Sequence, residues 1–132
     1  MWSSRPGSIK LIMATILNLQ TWEDDRGKLT LLVNGFPFQM ERLYVIYEVP
    51  SLETERAKHY HKLNAQLFVA LRGSCEINLN GTKYLMDSPS KALYVNPEEW
   101  EEEWPRVITN FTPDCILLVA ASKTYNPNDN YH

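Results

Sequence analysis

The sequence predicts an all-β sandwich or barrel. Turn signals recur at short intervals, the runs between them are rich in Val, Ile, Leu, Tyr and Phe, and no long segment carries helical periodicity. The punctuation is Asp24-Asp25-Arg26-Gly27, Asn34-Gly35, Pro50-Ser51, Arg72-Gly73, Asn80-Gly81, Asp87-Ser88-Pro89, Asn96-Pro97 and Pro113-Asp114. The strand-like runs are 29–33, 40–49, 66–71, 74–79, 82–86, 92–95 and 115–121. The sharpest local signal is Leu79-Asn80-Gly81-Thr82, because Asn-Gly between two strands favours a two-residue type I′ turn, in which both central residues take positive φ. In 74–79, Cys75, Ile77 and Leu79 alternate with Ser74, Glu76 and Asn78, so one face turns to a core and the other to water. Residues 116–121 are apolar without alternation, which predicts a central strand buried on both faces.

With 132 residues and 15.4 kDa, the chain is read as one domain over 1–132, with 1–12 a disordered leader and 126–132 a frayed tail. The apolar stretch 9–17 is short for a signal peptide and no small-residue cleavage site follows, so secretion is not expected. Met13 is an alternative start. Thirteen Lys and Arg against 16 Asp and Glu give a net charge of −3, which argues against nucleic acid as a partner. No apolar run approaches the roughly 20 residues that span a bilayer. Cys75 and Cys115 sit in apolar runs and are expected as buried free thiols in a reducing cytoplasm.

The chemistry concentrates at Arg56-Ala57-Lys58-His59-Tyr60-His61-Lys62. Side chains two apart on a strand project from one face, so His59 and His61 are expected to act together. Gln66 follows after a four-residue gap and Gly73 after six more. This pattern resembles the first motif of the cupin superfamily, which implies a double-stranded β-helix, or jelly-roll, barrel holding a metal or small ligand. Metal-binding cupins carry Glu where Gln66 stands and a third His in a second motif, and Pro97-Glu98-Glu99-Trp100-Glu101 offers none.

The wider sequence resembles the dTDP-sugar 3,4-ketoisomerase branch of the cupins. The features are Asp25-Arg26-Gly27-Lys28-Leu29, Pro37-Phe38 leading into Arg42-Leu43-Tyr44, the His59 and His61 segment with Gln66, and Leu71-Arg72-Gly73-Ser74. Further on come Asp87-Ser88-Pro89, Leu93-Tyr94-Val95, Pro97 with Trp100, and 117–122. They fall in order from about residue 16 to about residue 125. The resemblance implies a metal-free homodimer, with exchange of N-terminal strands, that moves the keto group of dTDP-4-keto-6-deoxyglucose from C4 to C3. No cofactor is implied. The chain departs from the family at Ala57, where a Gly is usual, at Glu101, where a His follows the Trp, and at an early C-terminus.

The reaction needs a base beside a ketone, and imidazole, with a reference pKa of about 6.5, suits it. By resemblance His59 is the base, His61 shuttles the proton or donates to sugar oxygens, and Tyr44 supplies a phenol donor. Arg42 and Arg56 are expected on the diphosphate. Arg26, Gln66, Trp100 and Glu101 complete the expected substrate contacts. The competing expectations are a metal site of His59, His61, Glu101 and Gln66, a non-catalytic sugar-nucleotide binder, and an epimerase on the same sugars.

Overall fold

Alternating apolar and polar residues form strands here because the period of two places one row on a core and the other in water. The computed structural model describes residues 13–33, 38–50, 54, 56–61, 65–79, 81–96 and 104–122. Its strands are β1 (Met13–Asn18), β2 (Thr21–Asp24), β3 (Gly27–Thr30), β4 (Arg42–Tyr47), β5 (Arg56–His61) and β6 (Gln66–Arg72). They continue with β7 (Cys75–Leu79), β8 (Thr82–Met86), β9 (Lys91–Asn96), β10 (Trp104–Thr109) and β11 (Ile116–Ala121). Trp100, Glu101, Asn80 and the segments 1–12 and 126–132 lie outside the described residues.

Two antiparallel sheets face each other. One has the order β1-β9-β6-β11-β4 and the other β5-β10-β7-β8, with β2-β3 a separate hairpin. This is the jelly-roll barrel of the cupins. The core between the sheets holds Phe68, Ile77, Met86, Leu93, Ile108, Phe111, Leu117 and Val119, all fully buried. Each such side chain contributes on the order of 1.5–3 kcal/mol by leaving water. β7 alternates as its sequence demands, with Cys75, Ile77 and Leu79 inward. β11 lies between β4 and β6, the central place expected for an unbroken apolar run. The pairing of Leu79 with Thr82 leaves a two-residue connection, and Gly81 takes φ +95° with its N–H donating to Asn78 Oδ1 at 2.8 Å.

The outer face of the five-stranded sheet is covered over β6 and β9. Leu67, Val69, Ala92 and Ala120 are buried beneath Leu17, Leu19, Leu32, Val33 and Phe38, and Phe38 stacks on Tyr94 with centroids 6.0 Å apart. The outer row of the edge strand β4 is open: Leu43, Val45 and Tyr47 are 56%, 43% and 55% exposed.

Two differences from expectation have local causes. β3 begins at Gly27, two residues before the predicted run, because Asp25 and Arg26 alone make the turn. β10 is absent from the strand-like runs of the sequence, where the acidic residues before it and Pro105 within it break the apolar pattern. The β10–β7 ladder starts at Arg106, so Pro105 costs no hydrogen bond to β7. Cys75 and Cys115 are free and buried, and burial pushes both thiols up from their ordinary range.

Candidate active site

One end of the barrel interior is apolar and the other is polar. The polar end is built by register. Arg42 on β4 pairs with Ala121 on β11, Ala121 pairs with Gln66 on β6, and Gln66 pairs with Val95 on β9. These four positions form one row across the sheet. The next row is Tyr44, Val119, Phe68 and Leu93. Directly paired residues share a face, so both rows look into the barrel. Ala121 places only a methyl group between the two long polar side chains of its row.

The opposing sheet answers with Arg106 on β10. Arg106 is 2% exposed, and its Nη1 donates to Oε1 of Gln66, which is also 2% exposed. Its guanidinium carbon lies 5.3 Å from the ring centroid of Phe68. Burial lowers the proton affinity of Arg106, the nearby Tyr44 hydroxyl opposes that, and Arg42 adds to it. The side chain keeps its charge, as guanidinium does throughout the pH range in which proteins fold. The guanidinium carbon of Arg42 stands 5.1 Å from the Tyr44 ring centroid. Arg42, Tyr44, Gln66, Phe68 and Arg106 thus form one cluster that bridges the two sheets.

This cluster is rich in donors. Among the described residues, Arg42 Nε and Gln66 Nε2 are buried without a hydrogen-bond acceptor. A buried unpaired donor costs roughly 1–3 kcal/mol, so such groups persist where a ligand supplies the acceptor. Arginine forks, a carboxamide and a phenol suit a ligand bearing oxygen anions, carbonyls and hydroxyls. The acceptor oxygen of Gln66 faces a guanidinium, which disfavours a second cation at the same atom.

Of the residues expected from sequence, Arg42, Tyr44 and Gln66 meet in this cluster. Arg56, His59 and His61 are placed by strand only: β5 pairs with β10, with position 59 opposite Arg106 and position 61 opposite Trp104. Arg26 stands elsewhere in the single chain. It sits on the exposed turn of the β2–β3 hairpin, where Nη2 and Nε donate to Asp24 Oδ2 at 2.6 and 3.2 Å. That partner lowers the Asp24 carboxyl below its ordinary range. Arg106 was missed altogether. The signal for it was the alternation Trp104, Arg106 and Ile108, which the preceding glutamates obscured.

A family model described as FdtA: WxcM-like, C-terminal, matches residues 13–132. The chain belongs to this FdtA, WxcM-like family. A curated member from Aneurinibacillus thermoaerophilus, TDP-4-oxo-6-deoxy-alpha-D-glucose-3,4-oxoisomerase, is 32% identical over 120 residues, covering 86% of this chain and 82% of that protein. A 3,4-ketoisomerase from Helicobacter canadensis superposes with a TM-score of 0.77 at 33% identity, over 89% of this chain and 88% of that one. The 3,4-ketoisomerase QdtA from Thermoanaerobacterium thermosaccharolyticum, solved in complex with TDP, gives 0.73 at 31% identity over 88% and 85%. The FdtA family match spans both sheets and every residue of the donor cluster.

Proposed function

We propose that this chain is a sugar 3,4-ketoisomerase acting on TDP-4-keto-6-deoxyglucose to give a TDP-3-keto-6-deoxyhexose. The observation that carries the reading is the cluster of donors from Arg42, Tyr44 and Gln66, with Arg42 Nε and Gln66 Nε2 buried, on the sheet facing the one that holds the His59 and His61 strand. The names of the relatives point the same way.

The chemistry begins at C3, whose proton is acidified by the adjacent C4 carbonyl. His59 removes it, charge moves onto the C4 oxygen, and a 3,4-enediolate forms. A proton passes from the C3 hydroxyl to the C4 oxygen, which moves the charge to O3, and His61 or His59 then returns a proton to C4, leaving the keto group at C3 and a hydroxyl at C4. A positioned base contributes about 10²–10⁴-fold, and donors aimed at the developing oxyanion contribute a larger share. The Tyr44 phenol suits donation to a sugar oxygen or relay through water. Arg42 and Arg56 hold the diphosphate, with Trp100 and Glu101 at the sugar. The product then serves an aminotransferase making a 3-amino-3,6-dideoxy sugar for lipopolysaccharide or other glycans, in the cytoplasm.

The working unit is a homodimer. Leu43, Val45 and Tyr47 form an apolar row on an edge strand, a surface that proteins normally cover. Among the described residues the β2–β3 hairpin pairs with no other strand, and in an exchanged dimer it carries Arg26 toward the partner's site. Leu43→Asp combined with Tyr47→Asp yields a monomer by light scattering. A dimer that survives both substitutions contradicts this interface.

Incubation with TDP-4-keto-6-deoxyglucose tests the function, with the products read by NMR. A new 3-keto hexose is expected. Tight TDP binding without any new sugar identifies a binding module instead, and activity that tracks added metal identifies a metal-dependent cupin.

A further inference from the structure

We infer that Arg106 is a positioning residue for this reaction: its guanidinium fixes the Gln66 carboxamide so that Nε2 donates to the substrate oxygen on which negative charge develops. The inference rests on the ketoisomerase reading and goes beyond it, to a residue no sequence motif singled out.

The argument is one of donor and acceptor inventory. A carboxamide has one acceptor oxygen and one NH₂ group, and the two exchange places by a half-turn about the last side-chain bond. A guanidinium has donors only. Once Arg106 Nη1 sits on Gln66, the atom it meets must be Oε1, and the NH₂ is driven to the other side. That Nε2 is buried and lacks an acceptor among the described residues. Gln66 is 2% exposed, so water does not readily take the acceptor's place. The amide lies in the row of Arg42 and Ala121, where Ala121 contributes only a methyl group. Arg106 is itself held, over the ring of Phe68 and beside Tyr44.

The pairing also explains why glutamine, and not glutamate, serves here. A carboxylate at position 66 would accept from Arg106 and offer the substrate a second acceptor, which repels an enediolate. The amide accepts on one side and donates on the other. Donors preorganised in this way act without reorganising as charge develops.

The test is a double-mutant cycle in the full-length chain, using Arg106→Met, Gln66→Met and the pair together, with Arg106→Lys as the conservative variant. Arg106→Met and Gln66→Met each lower kcat about 10²–10³-fold with KM within about threefold of wild type. The double variant is no more than about threefold worse than either single one, because both act through the same N–H. Arg106→Lys, which still donates to Oε1, stays within about tenfold of wild type. Losses that multiply in the double variant overturn the inference, since Arg106 then acts on the substrate by itself, and unchanged kcat in either single variant overturns it too. If Arg106→Met does not fold, Arg106→Lys falling as far as Gln66→Met gives the contrary result.

A second readout needs no turnover. The Gln66 side-chain amide resonance, identified by its loss in Gln66→Met, shifts in Arg106→Met if the guanidinium holds the oxygen, and stays in place if it does not. A wild-type chain without turnover defeats the ketoisomerase reading, and this spectrum then decides the Arg106–Gln66 pairing alone.

Discussion

His59→Asn abolishes deuterium exchange into the sugar while the chain still folds and binds TDP. Asparagine is close to histidine in size and polarity, so the strand it occupies is retained. It has no basic nitrogen near neutral pH, so the step at C3 loses its proton acceptor. The expected loss is about 10²–10⁴-fold in kcat, the usual contribution of a positioned base. KM is expected to move little, because the arginines on the diphosphate carry the ground-state contacts. Circular dichroism and TDP titration check the fold and the binding, and NMR in D₂O checks the exchange. An active His59→Asn variant removes His59 from the role of base and leaves His61 as the candidate.

The largest effect on stability is expected at Gly73→Ala. Gly73 joins β6 to β7 at φ +64°, a conformation costly for any side-chain-bearing residue. A Cβ there would also stand 2.4 Å from Thr112 Oγ1, 2.5 Å from Asp114 Oδ1 and 2.8 Å from the Cα of Cys115. The last contact is with backbone and cannot be relieved by a rotamer change. Thr112 is tied in turn, since its N–H donates to the Ser74 carbonyl at 2.9 Å and its hydroxyl accepts from the Ser74 N–H at 2.9 Å. Strain and overpacking together cost about 3 kcal/mol or more, which lowers Tm by about 10 °C. Gly81→Ala is the control. Gly81 also has positive φ, +95°, but no atom lies within 4 Å of an added Cβ. Its cost is about 1 kcal/mol from conformation alone. Equal melting temperatures for the two variants would show that the close approach at Gly73 carries no weight.

The strands around the core were readable because their side chains obey a simple period. Cys75, Ile77 and Leu79 alternate, and 116–121 is apolar throughout, so both strands fell where the pattern put them. β10 was not readable, because glutamates precede it and a proline interrupts it. The same obstacle hid Arg106. A buried arginine is recognised by what surrounds it, and Gln66 and Phe68 are about 40 residues away in sequence. Arg42, Tyr44 and Gln66 were named from family resemblance. That they share an interior follows from the ladders through β11, which no local pattern encodes. Arg26 shows the reverse case. Its Asp-Arg-Gly turn was legible, yet the single chain holds it in an ion pair with Asp24 on a hairpin apart from Arg42, Tyr44 and Gln66.

The most direct measurement is the position of the label when the wild-type chain works in D₂O. Proton removal at C3 and return at C4 predict deuterium at C4 of the 3-keto product and at C3 of recovered substrate, with C5 unlabelled. Deuterium at C5 without a 3-keto product, or no label anywhere under conditions where TDP binds, would contradict the account.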